Sequence, residues 1–256
     1  MSANPKKIRL DQLLVARGLC DSREQAKRLI LAGDVVLEGQ QKSPKPGANV
    51  LEDISLTVKS KPKFVSRGGL KIEKGLDHFE IDPAGKVVFD IGSSTGGFTD
   101  CVLQRGAKHV YAFDVGTNQL AWKLRNDDRV TSREGINVRH MQPDELPEKV
   151  DLVVTDVSFI SLTLILPPAF SVLKPGGDVI CLIKPQFELR RDQIGKGGIV
   201  RDPELHEQAK EKIHDFIEKT EGIKWCGVTE SAISGTDGNI EFLAWLKSES
   251  PVDSEA

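Results

Sequence analysis

Three charged residues stand next to apolar runs of the kind that form buried strands. Asp156 follows VDLVVT, Lys184 follows DVICLI, and Glu241 precedes FLAWL. If these runs belong to one sheet, all three charges lie at its ligand-facing edge. Any one of them could be a strand-end charge that faces water. The three together, with Lys71 after a Gly-Gly pair upstream, predict a catalytic cluster.

A glycine-rich turn, DIGSSTGGFTD, occupies residues 90–100 at the end of an apolar run. Its glycines allow the backbone to approach a ligand closely. Ser94 replaces the second glycine of the pattern G-x-G-x-x-G, which disfavours a dinucleotide. An acidic residue followed by x-Gly at the end of the first strand instead suits S-adenosylmethionine. A purely structural glycine turn is the alternative.

A second carboxylate, Asp114, ends the next predicted strand 24 residues after Asp90. It could accept hydrogen bonds from both ribose hydroxyls of that cofactor, and the adenine would lie near Glu134 and Asn137. The predicted cofactor-binding residues are Asp90, Gly92, Ser93, Ser94, Gly96, Gly97, Phe98, Asp114, Val115, Glu134, Asn137 and Asp156.

Strands must bring these residues together, and the pattern beyond Gly85 predicts them. Strand-type runs alternate there with helical spacings, which is typical of a doubly wound α/β sheet. The last two runs could close the sheet as an antiparallel pair. We therefore expect a Rossmann-like fold with a mostly parallel seven-stranded sheet. Its strands are predicted at residues 86–91, 109–114, 150–155, 178–183, 225–232 and 240–246, and just before residue 134.

Positive charge is concentrated at the N-terminal end of the chain. Residues 1–75 hold 15 Lys and Arg against 8 Asp and Glu, whereas the remainder is acidic and the net charge is −3. Two short helical patterns lie there, the second with Ser22 as its N-cap. Its Arg23, Lys27 and Arg28 form a cationic strip, which is either a solvated face or a contact for the phosphates of a polyanion.

A basic, glycine-containing segment follows Lys184, at residues 187–200. Arg190, Arg191 and Lys196 could form a mobile lid over a nucleic acid, with a plain flexible loop as the alternative. Arg67 could also meet phosphate. Phe159 could stack on a flipped base, although such a residue is often part of the core.

The remaining composition excludes several classes of protein. The four cysteines are far apart and the five histidines form no cluster, so we expect reduced thiols and no metal site. The N-terminus has no secretory pattern, and the apolar runs are too short to span a membrane. We expect a monomeric, cytoplasmic protein without stable membrane association.

Two parts of the chain resemble known families. IRLDQLLVARGLCDSREQAKRLILAGDVVLEGQ resembles the alpha-L RNA-binding domain, a small α/β domain. The motifs SRGGLK, DIGSSTGGFTD, DVSFIS, IKPQFE, GKGGIVRDP and GNIEF resemble FtsJ-like RNA ribose methyltransferases. The TlyA (haemolysin A) family joins both domains. By position, the first resemblance implies that RNA is bound by Arg9, Arg17, Arg23, Lys27 and Arg28.

The resemblance implies S-adenosylmethionine-dependent methylation of a ribose 2′-hydroxyl, in cytidine of ribosomal RNA within ribosomal subunits. It also implies a Lys-Asp-Lys-Glu tetrad, which matches Lys71, Asp156, Lys184 and Glu241. Lys184 could act as a general base in its neutral form or as a cation that stabilises an alkoxide. Asp156 would orient it, and Glu241 would hold Lys71 or the hydroxyl.

We expect an RNA-binding domain at residues 1–59, a linker at 60–65, a methyltransferase domain at 66–247 and a mobile acidic tail at 248–256. Three other functions stay open. They are a membrane-active haemolysin, a non-catalytic RNA-binding factor for ribosome assembly and a small-molecule methyltransferase.

Overall fold

A computed structural model of the protein describes residues 6–20, 22–39, 44–58, 63–235 and 237–249. Its contacts divide the chain into two compact units, Met1–Lys63 and Phe64–Ala256. Most of the predicted linker and tail, residues 60–62 and 250–256, lies outside the described residues. Within the part of the chain that is described, no helix is long and apolar enough to cross a membrane.

The N-terminal unit holds two helices, α1 (Leu10–Ala16) and α2 (Arg23–Leu31). Ser22 is the N-cap of α2, as predicted, and its side chain accepts the N–H of Gln25. Apolar side chains of both helices pack into one small core. Two antiparallel strand pairs, β1 with β3 and β2 with β4, complete the unit. The strands are β1 (Lys7–Arg9), β2 (Val35–Leu37), β3 (Asn49–Leu51) and β4 (Leu56–Val58).

The C-terminal unit contains a seven-stranded sheet in the order β10-β11-β9-β8-β5-β6-β7. Six strands run in one direction, and β11, which lies between β9 and β10, runs antiparallel to both. The predicted fold class is therefore confirmed. The strands are β5 (Val87–Ile91), β6 (His109–Asp114), β7 (Val130–Glu134), β8 (Val150–Thr155), β9 (Leu173–Ile183), β10 (Ile223–Glu230) and β11 (Phe242–Ser248).

Helices cover both faces of this sheet, so the central strands are buried on both sides and are apolar almost throughout. Side chains of α3 and α4 pack on one face, and those of α6 and α8 pack on the other. The helices of this unit are α3 (Gly68–His78), α4 (Gly97–Gln104), α5 (Trp122–Arg125), α6 (Leu166–Ser171), α7 (Pro185–Glu188) and α8 (Pro203–Glu218).

The strand order places a crevice at the carboxyl ends of the parallel strands. The chain leaves β5 towards β6 on one side, whereas β8 pairs with β5 on the other. Ligands of doubly wound sheets bind at such a reversal point, because the loops on either side diverge. The ends of β5, β6, β8 and β9 therefore frame the candidate site.

Candidate active site

The four residues of the predicted tetrad lie together at this edge of the sheet. Lys71 Nζ lies 2.6 Å from Glu241 Oε2 and 3.6 Å from Asp156 Oδ2. Lys184 Nζ lies 2.6 Å from Asp156 Oδ1. The result is an unbroken chain of alternating charges, Glu241, Lys71, Asp156 and Lys184. All but Asp156 are buried.

The sheet explains why residues so distant in sequence meet. Asp156 and Lys184 directly follow the parallel strands β8 and β9, so both lie at the same edge. Glu241 directly precedes β11, and because β11 is antiparallel to β9, its first residue lies at that edge as well. Lys71 comes from α3. Gly75 lets this helix pack closely on the sheet, since a Cβ there would lie 3.3 Å from Ile180 and from Leu243.

The glycine turn lies beside the tetrad. Gly92 has a φ of +81°, and a Cβ added there would lie 2.8 Å from the carbonyl oxygen of Asp156. Only glycine therefore allows the end of β5 to run so close to the residue that ends β8. A cavity of about 590 Å³ opens here, and its wall includes all four tetrad residues as well as Ser93 and Phe98.

A second cavity of about 440 Å³ adjoins the first, and Gly92, Ser94, Asp156, Ser158 and Phe159 line both. Its wall combines an apolar part with polar groups at the ends of β6 and β7. The lining includes Phe113, Asp114, Val115, Gln119, Ile136, Asn137 and Val138.

These walls fit S-adenosylmethionine. Apolar side chains such as Ile136 and Val138 suit a flat adenine ring. The Asp114 carboxylate is held by the backbone N–H groups of Ser94 (2.7 Å) and Gly116 (2.6 Å), and it retains lone pairs for ribose hydroxyls. The glycine turn would hold the amino-acid end, next to the tetrad.

Most of the predicted cofactor-binding residues line one of the cavities, but Asp90, Gly96 and Glu134 line neither. The fully buried Asp90 instead accepts hydrogen bonds from Thr99 N (3.0 Å) and Thr99 Oγ1 (2.6 Å). Burial raises the pKa of this carboxyl to about 7, and the nearby carboxylates of Asp156 and Asp114 add to the effect.

Glu134 and Gly96 shape the loops around the site. The Glu134 carboxylate accepts the N–H of Asn118 (2.8 Å) and of Gln119 (3.1 Å) and pairs with Arg125. These backbone hydrogen bonds lower the pKa of Glu134. A Cβ at Gly96 would collide with Leu124, so this glycine allows α5 to pack against the turn.

Several residues of the first cavity were not predicted from the sequence, namely Ser158, Gln186, Phe187, Ser234 and Asp237. The first three lie within three positions of Asp156 or Lys184. Proximity to a strand-end charge was therefore the signal that could have identified them. Ser158 Oγ accepts a hydrogen bond from Lys184 Nζ at 2.9 Å.

The predicted RNA-binding cations differ in the hydrogen bonds and ion pairs that their side chains make within the protein. In the N-terminal unit, Arg9 and Arg23 both contact the buried Asp11 at 3.0 Å. The hydrogen bond from Arg9 lowers the pKa of Asp11 to about 2, and Arg23 contributes. Arg17 donates to the Glu52 carbonyl and Lys27 pairs with Glu24. Arg28 is exposed, and its side chain makes no hydrogen bond or ion pair with any described residue.

In the C-terminal unit, Arg67 lines the first cavity and donates to the Ser234 carbonyl at 2.9 Å. Arg190, Arg191 and Lys196 are exposed on the predicted lid segment. Asn239 holds the end of that segment, because it donates to Gly198 O (3.0 Å) and accepts from Val200 N (2.9 Å). Among the described residues, no group of three His, Cys, Asp or Glu side chains could hold a metal ion.

Comparison with known proteins identifies both units. A family model for an FtsJ-like methyltransferase matches residues 64–248, and one for an S4 domain matches residues 8–44. "Putative rRNA methyltransferase YqxC" of Bacillus subtilis is 51% identical over 243 residues, 94% of this chain and 86% of that protein. "16S/23S rRNA (cytidine-2'-O)-methyltransferase TlyA" of Mycobacterium tuberculosis is 42% identical over 248 residues, covering 95% and 91%.

A solved structure, "Putative hemolysin from Streptococcus thermophilus", is 47% identical with a TM-score of 0.72 and covers 99% of this chain and 92% of that one. The predicted family, fold class and enzyme class are confirmed, and S-adenosylmethionine is the methyl donor. Because the methyltransferase match covers most of the chain and both named relatives align over more than nine-tenths of it, this chain belongs to the FtsJ-like methyltransferase family.

Proposed function

We propose that this enzyme methylates the ribose 2′-oxygen of a cytidine in ribosomal RNA. The observation that carries the proposal is the charge chain of Glu241, Lys71, Asp156 and Lys184 beside the glycine turn. A ribose hydroxyl is a weak nucleophile, and this arrangement can remove or stabilise the charge that develops on it. The names of the two relatives support ribosomal RNA as the substrate.

The residues of the site would act on the acceptor hydroxyl. When bound, S-adenosylmethionine would supply an electrophilic methyl group, because its sulfur carries a positive charge. The 2′-oxygen becomes a better nucleophile towards this group as it loses its proton. The hydroxyl proton goes to Lys184 if that amine is neutral, or to water if Lys184 stays charged and stabilises the alkoxide.

The other tetrad residues hold Lys184 and the substrate in place. Asp156 contacts both lysines and thereby sets their separation. Glu241 is the nearer carboxylate to the buried Lys71, which would otherwise keep only the 3.6 Å contact with Asp156. Asp114 would bind the cofactor ribose, and the glycine turn would bind its amino-acid end.

Two aromatic residues offer a surface for the target base. Phe159 is 91% exposed and has a φ of +64°, a conformation that is costly for a residue other than glycine. Its ring centroid lies 5.0 Å from that of Phe187, and both rings line the first cavity. A flipped base could stack there.

The exposed cations would contact phosphates around the target. Arg28 is the best-placed group of the S4 domain, because Arg9, Arg17, Arg23 and Lys27 are engaged within it. Arg67, Arg190, Arg191 and Lys196 would contribute from the methyltransferase domain. We further propose domain limits at residues 1–59 and 66–247, action of the monomer on assembled ribosomal subunits, and a cytoplasmic location.

Lys184→Ala tests the proposal. Wild-type enzyme should add methyl groups to cytidine riboses of ribosomal subunits from a strain that lacks the modification, detected by mass spectrometry of nucleosides. The variant should be slower by about 100-fold or more, the range typical of a lost acid–base group. It should still bind S-adenosylmethionine in calorimetry.

Lys74→Ala is the matched control, because Lys74 lies on α3 near Lys71 but is exposed. Its rate of ribose methylation should lie within about twofold of the wild-type rate, as expected for a surface change. Undiminished ribose methylation by Lys184→Ala would contradict the proposed function.

A further inference from the structure

Ser158 is the residue that holds the Lys184 amine by a hydrogen bond. It lies two residues after Asp156, lines both cavities and accepts from Lys184 Nζ at 2.9 Å. Asp156 Oδ1 is closer, at 2.6 Å, but it has no partner with hydrogen-bond geometry. Among the described residues, Ser158 is thus the one acceptor that meets this amine with hydrogen-bond geometry.

The two contacts constrain different features of the amine. Attraction to the Asp156 carboxylate fixes the distance between the charges, but it depends weakly on direction. A hydrogen bond depends strongly on direction. Besides its bond to Cε, the nitrogen has three tetrahedral positions, each of which holds a hydrogen or a lone pair. A hydrogen bond along one of these directions also fixes the directions of the other two. Rotation about the bond between Cε and Nζ is therefore set by Ser158.

We propose that Ser158 is a positioning residue for methyl transfer, and that it orients the Lys184 amine towards the acceptor hydroxyl. The inference rests on the proposed function, because it requires Lys184 to act on that hydroxyl. The chemistry is the same whether Lys184 receives the proton or stabilises the alkoxide, since either role needs one defined direction on the nitrogen.

The other neighbours of the Lys184 amine stay in place when Ser158 is changed. The amine faces Asp156 from the loop after β8 and the Phe187 ring, 5.9 Å away, from α7. Lys71 and Glu241 are coupled to it through Asp156. A loss of rate in a Ser158 variant would therefore report on the serine hydroxyl.

The experiment compares kcat and KM of Ser158→Ala, Ser158→Thr and wild type, with ribosomal subunits as substrate. Ser158→Ala should lower kcat by about tenfold or more with little change in KM, because an interaction of the transition state is lost. Ser158→Thr retains the hydroxyl and should recover the wild-type kcat.

Ser171→Ala is the control, since Ser171 Oγ donates to the Pro168 carbonyl away from both cavities. It should leave kcat and KM unchanged. The inference is wrong if Ser158→Ala keeps the wild-type kcat, if its defect lies in KM rather than in kcat, or if threonine does not restore kcat.

Lys184→Ala, measured in parallel, separates this inference from the proposed function. If Lys184→Ala retains full ribose methylation, the proposed function itself fails. If Lys184→Ala is inactive while Ser158→Ala behaves as wild type, only the role of Ser158 is refuted.

Discussion

Asp156 connects the two halves of the catalytic cluster, because one carboxylate oxygen faces Lys71 and the other faces Lys184. Removal of one partner from a buried charge pair leaves the other uncompensated, which costs more than the pair contributes. Changes at Lys71, Asp156 and Glu241 should therefore be strongly non-additive. Lys184 also depends on Asp156, but it has one further partner, since Ser158 Oγ accepts a hydrogen bond from it.

The sequence was informative for residues that end strands. Asp156 and Lys184 could be placed because parallel strands bring their carboxyl ends to one edge of a sheet. It was less informative for Asp90, because strand position does not reveal which way a carboxyl group faces. Asp90 faces Thr99 inside the fold, while the cavity wall is formed by the turn that follows.

Asp90→Asn should reveal this buried carboxyl in the pH dependence of stability. Its pKa is about 7 in the folded protein against 3.8 ordinarily, so the folded state retains the proton over this interval and the unfolded state does not. Stability from this group is fully present below about pH 4 and is lost as the pH rises to about 7. The free energy of unfolding of wild type, relative to that of Asp90→Asn, should therefore decrease by about 1.4 kcal/mol per pH unit between about pH 4 and pH 7.

Urea unfolding followed by tryptophan fluorescence measures this difference, because Trp122, Trp225 and Trp245 all lie in the methyltransferase unit. Asp128→Asn, at an exposed position, is the reference for loss of a carboxylate. If the free energies of unfolding of wild type and Asp90→Asn differ by the same amount at every pH from 4 to 7, the pKa of Asp90 is not raised.

At the scale of elements, α3 is the feature that the sequence did not reveal. Residues 66–76 contain three glycines, and glycine opposes helix formation. The helix also lacks a side-chain N-cap. Packing stabilises it instead, since Ile72 and Leu76 are buried against the sheet and Gly75 permits the close approach. Such tertiary contacts cannot be recognised from local sequence.

Gly69→Ala should damage this packing. A Cβ at Gly69 would overlap the Phe64 ring and lie 2.5 Å from Phe64 Cβ, so rotation of the ring would not remove the overlap. Alanine favours a helix by up to about 1 kcal/mol, but overpacking costs about 1–3 kcal/mol. We expect a lower Tm and lower methylation activity, because Lys71 lies two residues further along α3.

Gly68→Ala is the matched control, since its Cβ would meet Ser66 Oγ at 3.4 Å and Phe98 Cδ1 at 3.6 Å, which are ordinary contacts. Thermal unfolding of both variants, followed by tryptophan fluorescence, measures the difference. A Gly69→Ala protein as stable as Gly68→Ala would mean that the contact with Phe64 is not tight.

At the scale of the whole molecule, charge is divided between the two parts of the chain. The first 75 residues carry a surplus of 7 positive charges by their Lys, Arg, Asp and Glu counts, although the net charge of the chain is −3. An acidic body disfavours non-specific binding to RNA, so affinity for a polyanion must come from defined cations. Arg28 on α2 is the clearest of these.

Arg28→Gln should therefore weaken binding to ribosomal subunits and reduce the salt dependence of that binding. Loss of one phosphate contact lowers the slope of log K against log salt by about 1. Stability should stay unchanged, because Arg28 is exposed. Filter binding at several KCl concentrations measures the slope.

Lys224→Gln removes the same charge from an exposed position on β10 and should leave the slope as it is. If Arg28→Gln and Lys224→Gln alter the slope equally, Arg28 has no specific contact with RNA and only net charge matters.

The position of β11 has a consequence for the order of events during protein synthesis. Among the strands of the described residues, β11 is the last to be synthesised, yet it lies between β9 and β10 and follows directly on Glu241. Until it is inserted, the edge of β9 is unpaired and open to association with other nascent chains. The contact between Lys71 and Glu241, 170 positions apart, can form only then. The catalytic cluster is therefore completed only after β11 has joined the sheet, although three of its four residues precede the strand by more than 50 positions.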